Sequence, residues 1–207
     1  MSGTAKLMLA VGAAAVLWFF MFSPWTSGIL NFWLCMSIAA AVLTCLSLYG
    51  LEEKPSFKDN PALQIVAGIL IAFALWGIFW VGDKVSAMMF DFARPQVDMV
   101  YSMKDGISPV LVSLLLLFWI GPAEEFFWRG YVQKTMGDRI GKTAAMFITA
   151  IVYALVHIWS FNFMLVMAAL VAGGVWGLLY RLKPDMLPAL IVSHAVWDAL
   201  VFVILPI

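Results

Sequence analysis

The sequence predicts an all-α fold, a polytopic transmembrane helical bundle of about seven spans, within limits of six to eight. Of its 207 residues 64% are hydrophobic and only 12% are charged, and the mean hydropathy is +0.99. A soluble domain of this length cannot bury so much apolar surface, which includes 16 phenylalanines and 10 tryptophans. The chain is therefore expected to be an integral, multi-pass membrane protein surrounded by lipid, with a single transmembrane domain over 1–207.

Seven apolar runs are long enough to cross a bilayer, which takes roughly 20 residues of helix. Their approximate bounds are 5–22, 28–50, 62–82, 107–130, 143–160, 163–180 and 187–205. Proline, glycine, asparagine and charged residues cluster in the breaks, as in "SPWTSG" and "EEKPSFKDNP". No small-x-small cleavage site follows the first run, so it is predicted to be a retained span and not a signal peptide.

Lysine and arginine are distributed unequally between the two sides of the predicted bundle. With the N-terminus in the cytoplasm, the cytoplasmic side holds nine of them: Lys6, Lys54, Lys58, Arg129, Lys134, Arg139, Lys142, Arg181 and Lys183. The opposite side holds three, Lys84, Arg94 and Lys104. This bias predicts a cytoplasmic N-terminus and, with an odd number of spans, a C-terminus outside. The net charge of zero argues against a nucleic-acid partner.

The longest connection, 83–106, mixes apolar residues with scattered charges, which predicts a helix lying in the membrane interface. Such a helix is either an ordinary connection or a gate for substrate. In the sixth run Gly173 and Gly177 form a small-x-x-x-small pair, which favours close packing of another helix.

Two glutamates and an arginine follow the apolar run "LVSLLLLFWI" directly, in the stretch "GPAEEFFWRG" over 121–130. One charge at the centre of a bilayer costs roughly 2.5 to 3.5 kcal/mol, so three charges in six residues need a reason. On a helix Glu125 and Arg129 share a face in the order that favours an ion pair. Glu124 points about 100° away and lacks that partner, which makes it the candidate for chemistry. The alternative is that all three only anchor a helix end at the interface.

Both histidines of the chain lie within predicted spans, His157 in "IVYALVHIWS" and His194 in "LIVSHAVWDAL". Asp198 shares a helix face with His194, as Tyr153 does with His157. The candidate catalytic residues thus come from three helices: Glu124, His157, His194 and Asp198. An acid and histidines in one cavity suit hydrolysis by activated water, whereas no H-E-x-x-H or G-x-S-x-G motif is present. The same donors can hold Zn²⁺, so a metallohydrolase remains the alternative, although it is not favoured.

These residues belong to three motifs, each on a different predicted helix. They are "EEFFWR" at 124–129, "YALVH" at 153–157 and "HAVWD" at 194–198. In this order they resemble E-E-x-x-x-R, F-x-x-x-H and H-x-x-x-N/D of the CAAX protease and bacteriocin-processing family, the membrane endopeptidases related to the Ras-converting enzyme. The resemblance covers the C-terminal half of the chain, about 107–205.

The resemblance implies a glutamate-dependent intramembrane endopeptidase that needs no cofactor. By motif position, Glu124 is similar to the residue that activates water together with His157. His194 and Asp198 stand in the positions of the pair that stabilises the oxyanion.

The motifs also assign two supporting residues, and this sequence departs from the family pattern at two positions. Glu125 and Arg129 match residues that give structural support. Tyr153 replaces the usual phenylalanine, which is a mild change. Asp198 stands where asparagine is more common, and an ionised aspartate cannot donate to an oxyanion. Asp198 is therefore either protonated or orients His194.

Family resemblance also implies the kind of partner and the location. The substrate is a peptide or protein, either a prenylated C-terminal peptide or a leader peptide, and the short chain is similar to prokaryotic members of the cell membrane. Two other functions stay open: a non-catalytic bacteriocin-immunity or scaffold protein on the same fold, and a proton-coupled transporter. No inverted repeat of broken helices, which transporters often show, is visible.

The predicted spans place the candidate residues at different depths. Glu124 and His194 fall toward the cytoplasmic ends of their runs, whereas His157 lies about 14 residues, or roughly 21 Å, into the fifth run. We therefore expect the fifth helix to begin lower, to tilt strongly or to border a water-filled cavity.

Overall fold

The computed structural model describes residues 2–51 and 60–207, and over these ranges the chain is helical with no strand. The helices in chain order are α1 (Gly3–Phe22), α2 (Phe32–Gly50), α3 (Pro61–Met89), α4 (Ala93–Ser102), α5 (Pro109–Ile140), α6 (Lys142–Ser160), α7 (Phe163–Leu182) and α8 (Pro184–Ile204). Among the described residues, all of these except α4 are long and apolar enough to cross a membrane. The predicted all-α, multi-pass bundle of seven spans is confirmed.

Helix starts follow local sequence signals. The side chains of Asn31, Asn60 and Asn162 each accept a hydrogen bond from a backbone N–H in the first turn of α2, α3 and α7. Pro61 and Pro109 occupy the first positions of α3 and α5, where the missing N–H costs nothing.

The outer faces of the bundle are covered by large apolar side chains such as Leu70, Phe73 and Phe118, which are exposed. Such surfaces suit contact with lipid, not with water. The positive charges predicted at Lys54 and Lys58, and the break at 52–59, lie outside the described residues.

The fourth span is longer than the predicted 107–130, because the stretch "QKTMGDRI" continues the helix to Ile140. Only Gly141 interrupts the chain before α6, and its φ of 89° lies in the region that favours glycine. Glu124 is therefore 16 residues before Ile140 (140 − 124), and His157 is 15 residues after Lys142 (157 − 142). Because α5 and α6 run in opposite directions, these counts place both side chains at similar depth. The prediction that Glu124 lies near a helix end was wrong, and the mismatch in depth disappears with it.

The third span also exceeds its predicted bounds of 62–82 and ends at Met89. The 83–106 connection therefore contains the end of α3 and the short α4, which packs against α3 and α7. Gln96 of α4 secures the start of α7, because its carbonyl accepts from the Asn162 amide and its side-chain oxygen accepts from the N–H of Met164. The position of α4 in the membrane interface stays a prediction.

Helix α5 is the centre of the bundle and contacts α2, α6, α7 and α8. On one side it packs with α1 and α2 around the fully buried Trp18, Phe127 and Trp128. A second core joins α3, α7 and α8 around Trp176 and Leu190. The three motifs thus lie on helices that meet in the interior.

Candidate active site

The two motif glutamates lie on a short α-helical segment between two π-helical stretches of α5. Gly121–Glu125 is α-helical, whereas Leu116–Ile120 and Phe126–Gln133 are π-helical. Pro122 has no N–H to donate, and the N–H of Gly121 before it donates five residues back to Leu116. Wide turns of this kind re-aim the side chains around them and are frequent at functional sites.

The backbones of α5 and α8 approach closely at Gly121. A Cβ at this position would lie 2.8 Å from Ala195 Cα and 3.0 Å from Ala195 N, which are backbone atoms that cannot rotate away. This contact sets the distance between the two glutamates and the neighbouring His194.

We expect Gly121→Ala to push α8 away from α5 and to lower the stability by about 1 to 3 kcal/mol, as overpacking does. The measurement is thermal unfolding in detergent beside Gly12→Ala in α1, where no atom lies within 4 Å of the added Cβ. Equal stability of the two variants would contradict the close contact.

A large cavity, of about 460 Å³, opens among α1 to α8. Its walls are mostly apolar and include Phe79, Met89, Val97 and Val171. Four of the sequence-predicted site residues line it: Glu124, His157, His194 and Asp198. Glu125 and Arg129, predicted to give support, are fully buried behind the wall.

Helix α4 forms part of the cavity wall through Val97, Val100 and Tyr101. Burial raises the pKa of the Tyr101 phenol, so this group stays neutral and accepts a hydrogen bond from the N–H of Ile207. The connection between α3 and α5 therefore shapes the site directly.

Glu124 is buried, and its carboxylate is linked to α6 by one hydrogen bond among the described residues. The Tyr153 hydroxyl donates to Glu124 Oε2 over 3.2 Å. A phenylalanine at 153, the usual residue of the motif, has no hydroxyl to make this bond. The departure that looked mild in the sequence therefore changes how the glutamate is held.

His157 uses both ring nitrogens within the protein. Its Nδ1 lies 2.8 Å from the carbonyl oxygen of Tyr153, which only accepts, so Nδ1 carries a proton. Its Nε2 lies 3.0 Å from Trp18 Nε1, which only donates, so Nε2 is an acceptor. His157 is therefore neutral in this arrangement, in the Nδ1–H tautomer.

His194 lies between two carboxylates. Its Nδ1 is 3.0 Å from Glu125 Oε2, and its Nε2 is 3.6 Å from Asp198 Oδ2, which is beyond hydrogen-bond distance. The ring stacks on Trp176 with a centroid separation of 4.1 Å. Glu125 is thus the hydrogen-bonding partner that orients His194, while Asp198 faces the other nitrogen.

The predicted ion pair between Glu125 and Arg129 is present, with 3.1 Å between Glu125 Oε2 and Arg129 Nη1. Arg129 Nη2 also donates to the carbonyl of Gly173 over 3.0 Å, and the guanidinium lies over the rings of Tyr153 and Trp176. A Cβ at Gly173 would meet Tyr153 at 2.9 Å, so the small residue of α7 allows this approach. Arg129 therefore joins α5, α6 and α7 behind the cavity.

The candidate metal ligands are not grouped as a metal site. Within 2–51 and 60–207, no three histidine, cysteine, aspartate or glutamate side chains lie together to hold a metal ion. His157 Nε2 accepts a hydrogen bond from Trp18, so binding a metal there would require this bond to break. His194 bonds Glu125 through Nδ1, which leaves Nε2 as its free ring nitrogen.

Sequence reasoning missed three contacts of this site, the first of which is the bond from Tyr153 to Glu124 described above. Trp18 is 139 residues away from His157, and nothing distinguishes it in the sequence from the nine other tryptophans. The bond between Glu125 and His194 was missed because the ion pair with Arg129 already accounted for that carboxylate.

A family model described as type II CAAX prenyl endopeptidase Rce1-like matches residues 106–200 of this chain. The matched segment contains all three motifs and excludes α1 to α4. No curated protein and no solved structure matches the chain. The family match confirms the resemblance carried by the motifs. Through residues 106–200, this chain is therefore similar to the CAAX protease and bacteriocin-processing family, and this similarity supports a CAAX-type intramembrane endopeptidase in general.

Proposed function

We propose that this chain hydrolyses a peptide bond inside the membrane with water activated by Glu124 and His157. The observation that carries the proposal is the cavity, because the Glu124 carboxylate and both histidines line an otherwise mostly apolar space. Glu124 has only the Tyr153 hydroxyl as a partner among the described residues, so its carboxylate is available to a water molecule. The ion-paired Glu125 is held behind the wall and is not.

In the proposed reaction the water oxygen adds to the carbonyl carbon of the scissile bond while Glu124 takes the proton of the water. The carbonyl oxygen becomes an oxyanion. A lone pair of the oxyanion then re-forms the C=O bond, the electron pair of the C–N bond leaves with nitrogen, and the proton held by Glu124 passes to that nitrogen. No other reactant is needed for this sequence to balance.

His194 and Asp198 are proposed to stabilise the oxyanion. Glu125 fixes His194 through Nδ1, which leaves Nε2 directed to the side of Asp198. A ring that carries protons on both nitrogens donates to Glu125 and to an oxyanion at the same time. Asp198 takes part as a donor when it is protonated, and otherwise it stabilises the protonated form of His194.

The substrate we propose is a peptide that carries an apolar group, such as a prenyl chain on a cysteine. The apolar walls contributed by α3, α4 and α7 suit such a group, and burial of each CH₂ contributes about 0.8 kcal/mol. The location proposed is a prokaryotic cell membrane with the N-terminus in the cytoplasm. It is supported by a lysine and arginine bias of eight against three, which leaves out the fully buried Arg129.

The test is cleavage of two fluorogenic peptides of one sequence, one farnesylated at cysteine and one unmodified, by purified protein in detergent. We expect cleavage of both, with the farnesylated peptide cleaved at the lower KM. Treatment with a strong chelator should leave the rates unchanged, since the proposed steps use no metal. Activity that disappears on chelation and returns with Zn²⁺ would overturn the glutamate mechanism. Failure to cleave both of these peptides and a leader peptide would favour a non-catalytic immunity or scaffold protein. A pH-dependent flux of substrate without cleavage would favour a transporter.

A further inference from the structure

The bond from Trp18 to His157 connects the matched family segment to a helix outside it. Trp18 belongs to α1, whereas the family match begins at residue 106. Its indole is fully buried, and its ring meets the His157 ring edge to face with a centroid separation of 5.8 Å. The interaction thus combines a directed hydrogen bond with a fixed ring orientation.

The indole N–H donates to the one lone pair of the His157 ring. Nδ1 carries its proton toward the backbone carbonyl of Tyr153, so Nε2 is the acceptor atom. An indole N–H carries no lone pair and cannot accept in return. The bond therefore holds the neutral His157 ring in place at the cavity, while Glu124 is the group that takes the proton of water in the proposed reaction.

We infer that Trp18 is a positioning residue of the active site, which holds Nε2 and the ring orientation of His157 from a helix outside the family segment. This inference rests on the proposed function for its effect on catalysis, but the hydrogen bond itself can be tested without substrate. It also explains the placement of α1, whose buried face packs Trp18 against Trp128 of α5.

Trp128 provides a matched control in the same core. It is fully buried, lies 6.5 Å from Trp18 between ring centroids, and its N–H has no hydrogen-bond partner among the described residues. Trp128→Phe therefore removes a similar ring volume without removing a bond to His157. Trp18→Phe removes both the ring volume and the hydrogen bond to His157.

The first readout is the ¹⁵N spectrum of protein labelled at histidine, which contains signals from only two residues, assigned with the His194→Gln variant. We expect the wild-type His157 signals to show a proton on Nδ1 and an accepted hydrogen bond on Nε2. Trp18→Phe should shift the Nε2 resonance, whereas Trp128→Phe should leave it in place. An Nε2 resonance that does not move in Trp18→Phe would overturn the inference whether or not the protein cleaves peptides.

The second readout is the cleavage assay. We expect Trp18→Phe to lower kcat roughly 10- to 100-fold with KM unchanged, because a misplaced catalytic group affects the chemical step and not binding. A loss in kcat no larger than that of Trp128→Phe would reduce Trp18 to a packing residue. If Trp18→Phe does not fold, benzothienylalanine at position 18 keeps the ring shape and removes only the N–H, and the same two outcomes apply.

Discussion

Glu124→Gln should abolish peptide cleavage, with a loss of roughly 10²- to 10⁴-fold in kcat, while the protein folds as before. Glutamine has the size of glutamate but cannot take a proton from water. Its side-chain oxygen can still accept the hydrogen bond from the Tyr153 hydroxyl, which lies 3.2 Å from Glu124 Oε2. The variant therefore removes the proposed base and keeps the local contacts.

The measurement is the initial rate of peptide cleavage together with thermal unfolding in detergent. Asp91→Asn is the matched control, because it also neutralises one carboxylate but lies exposed and outside the cavity lining. A Glu124→Gln variant that cleaves within about tenfold of the wild-type rate would assign the base to another group. A variant that loses activity only because it unfolds would be recognised by its melting curve.

Arg129→Ala should have the largest effect on stability, with a loss of about 3 to 5 kcal/mol, as when one partner of a buried ion pair is removed. The guanidinium is fully buried and bonds both Glu125 and the carbonyl of Gly173. Its removal leaves a carboxylate in the interior with His194 as the remaining partner. It also leaves an empty volume between the rings of Tyr153 and Trp176.

The check is a comparison of unfolding temperatures in detergent for Arg129→Ala, Glu124→Gln and the exposed Arg139→Ala. A surface change such as Arg139→Ala should alter stability by roughly 0.5 kcal/mol or less. Equal stability of Arg129→Ala and Glu124→Gln would contradict the assignment of the Glu125–Arg129 pair to structural support and of Glu124 to catalysis. If Arg129→Ala is not recovered, Arg129→Lys keeps the charge but loses the paired geometry and should show an intermediate loss.

The fold class could be read from the sequence because a bilayer leaves few choices. A backbone in hydrocarbon must satisfy its own hydrogen bonds, so an apolar run of roughly 20 residues becomes a helix whatever surrounds it. The count of seven spans and the order of the three motifs follow from such local information. The ends of the spans are not fixed in this way, and α5 continues ten residues past its predicted end at 130 because glutamine, lysine, methionine and arginine are also good helix formers.

The ion pair of Glu125 with Arg129 was also predictable, since residues four apart on one helix meet regardless of the rest of the fold. The alignment of His194 with Asp198 followed the same rule only in part. The rule places the two side chains on one face, but the 3.6 Å separation and the competing bond to Glu125 depend on how α8 packs against α5.

The sequence by itself therefore determined a seven-span helical protein, its family motifs and the contacts made within single turns of helix. Only the tertiary structure decided that the Tyr153 hydroxyl bonds Glu124, that Glu125 orients His194, and that Trp18 bonds His157. These contacts join residues 29, 69 and 139 positions apart. Their geometry depends on π-helical turns and on backbone approach at Gly121, which no 3.6-residue periodicity encodes.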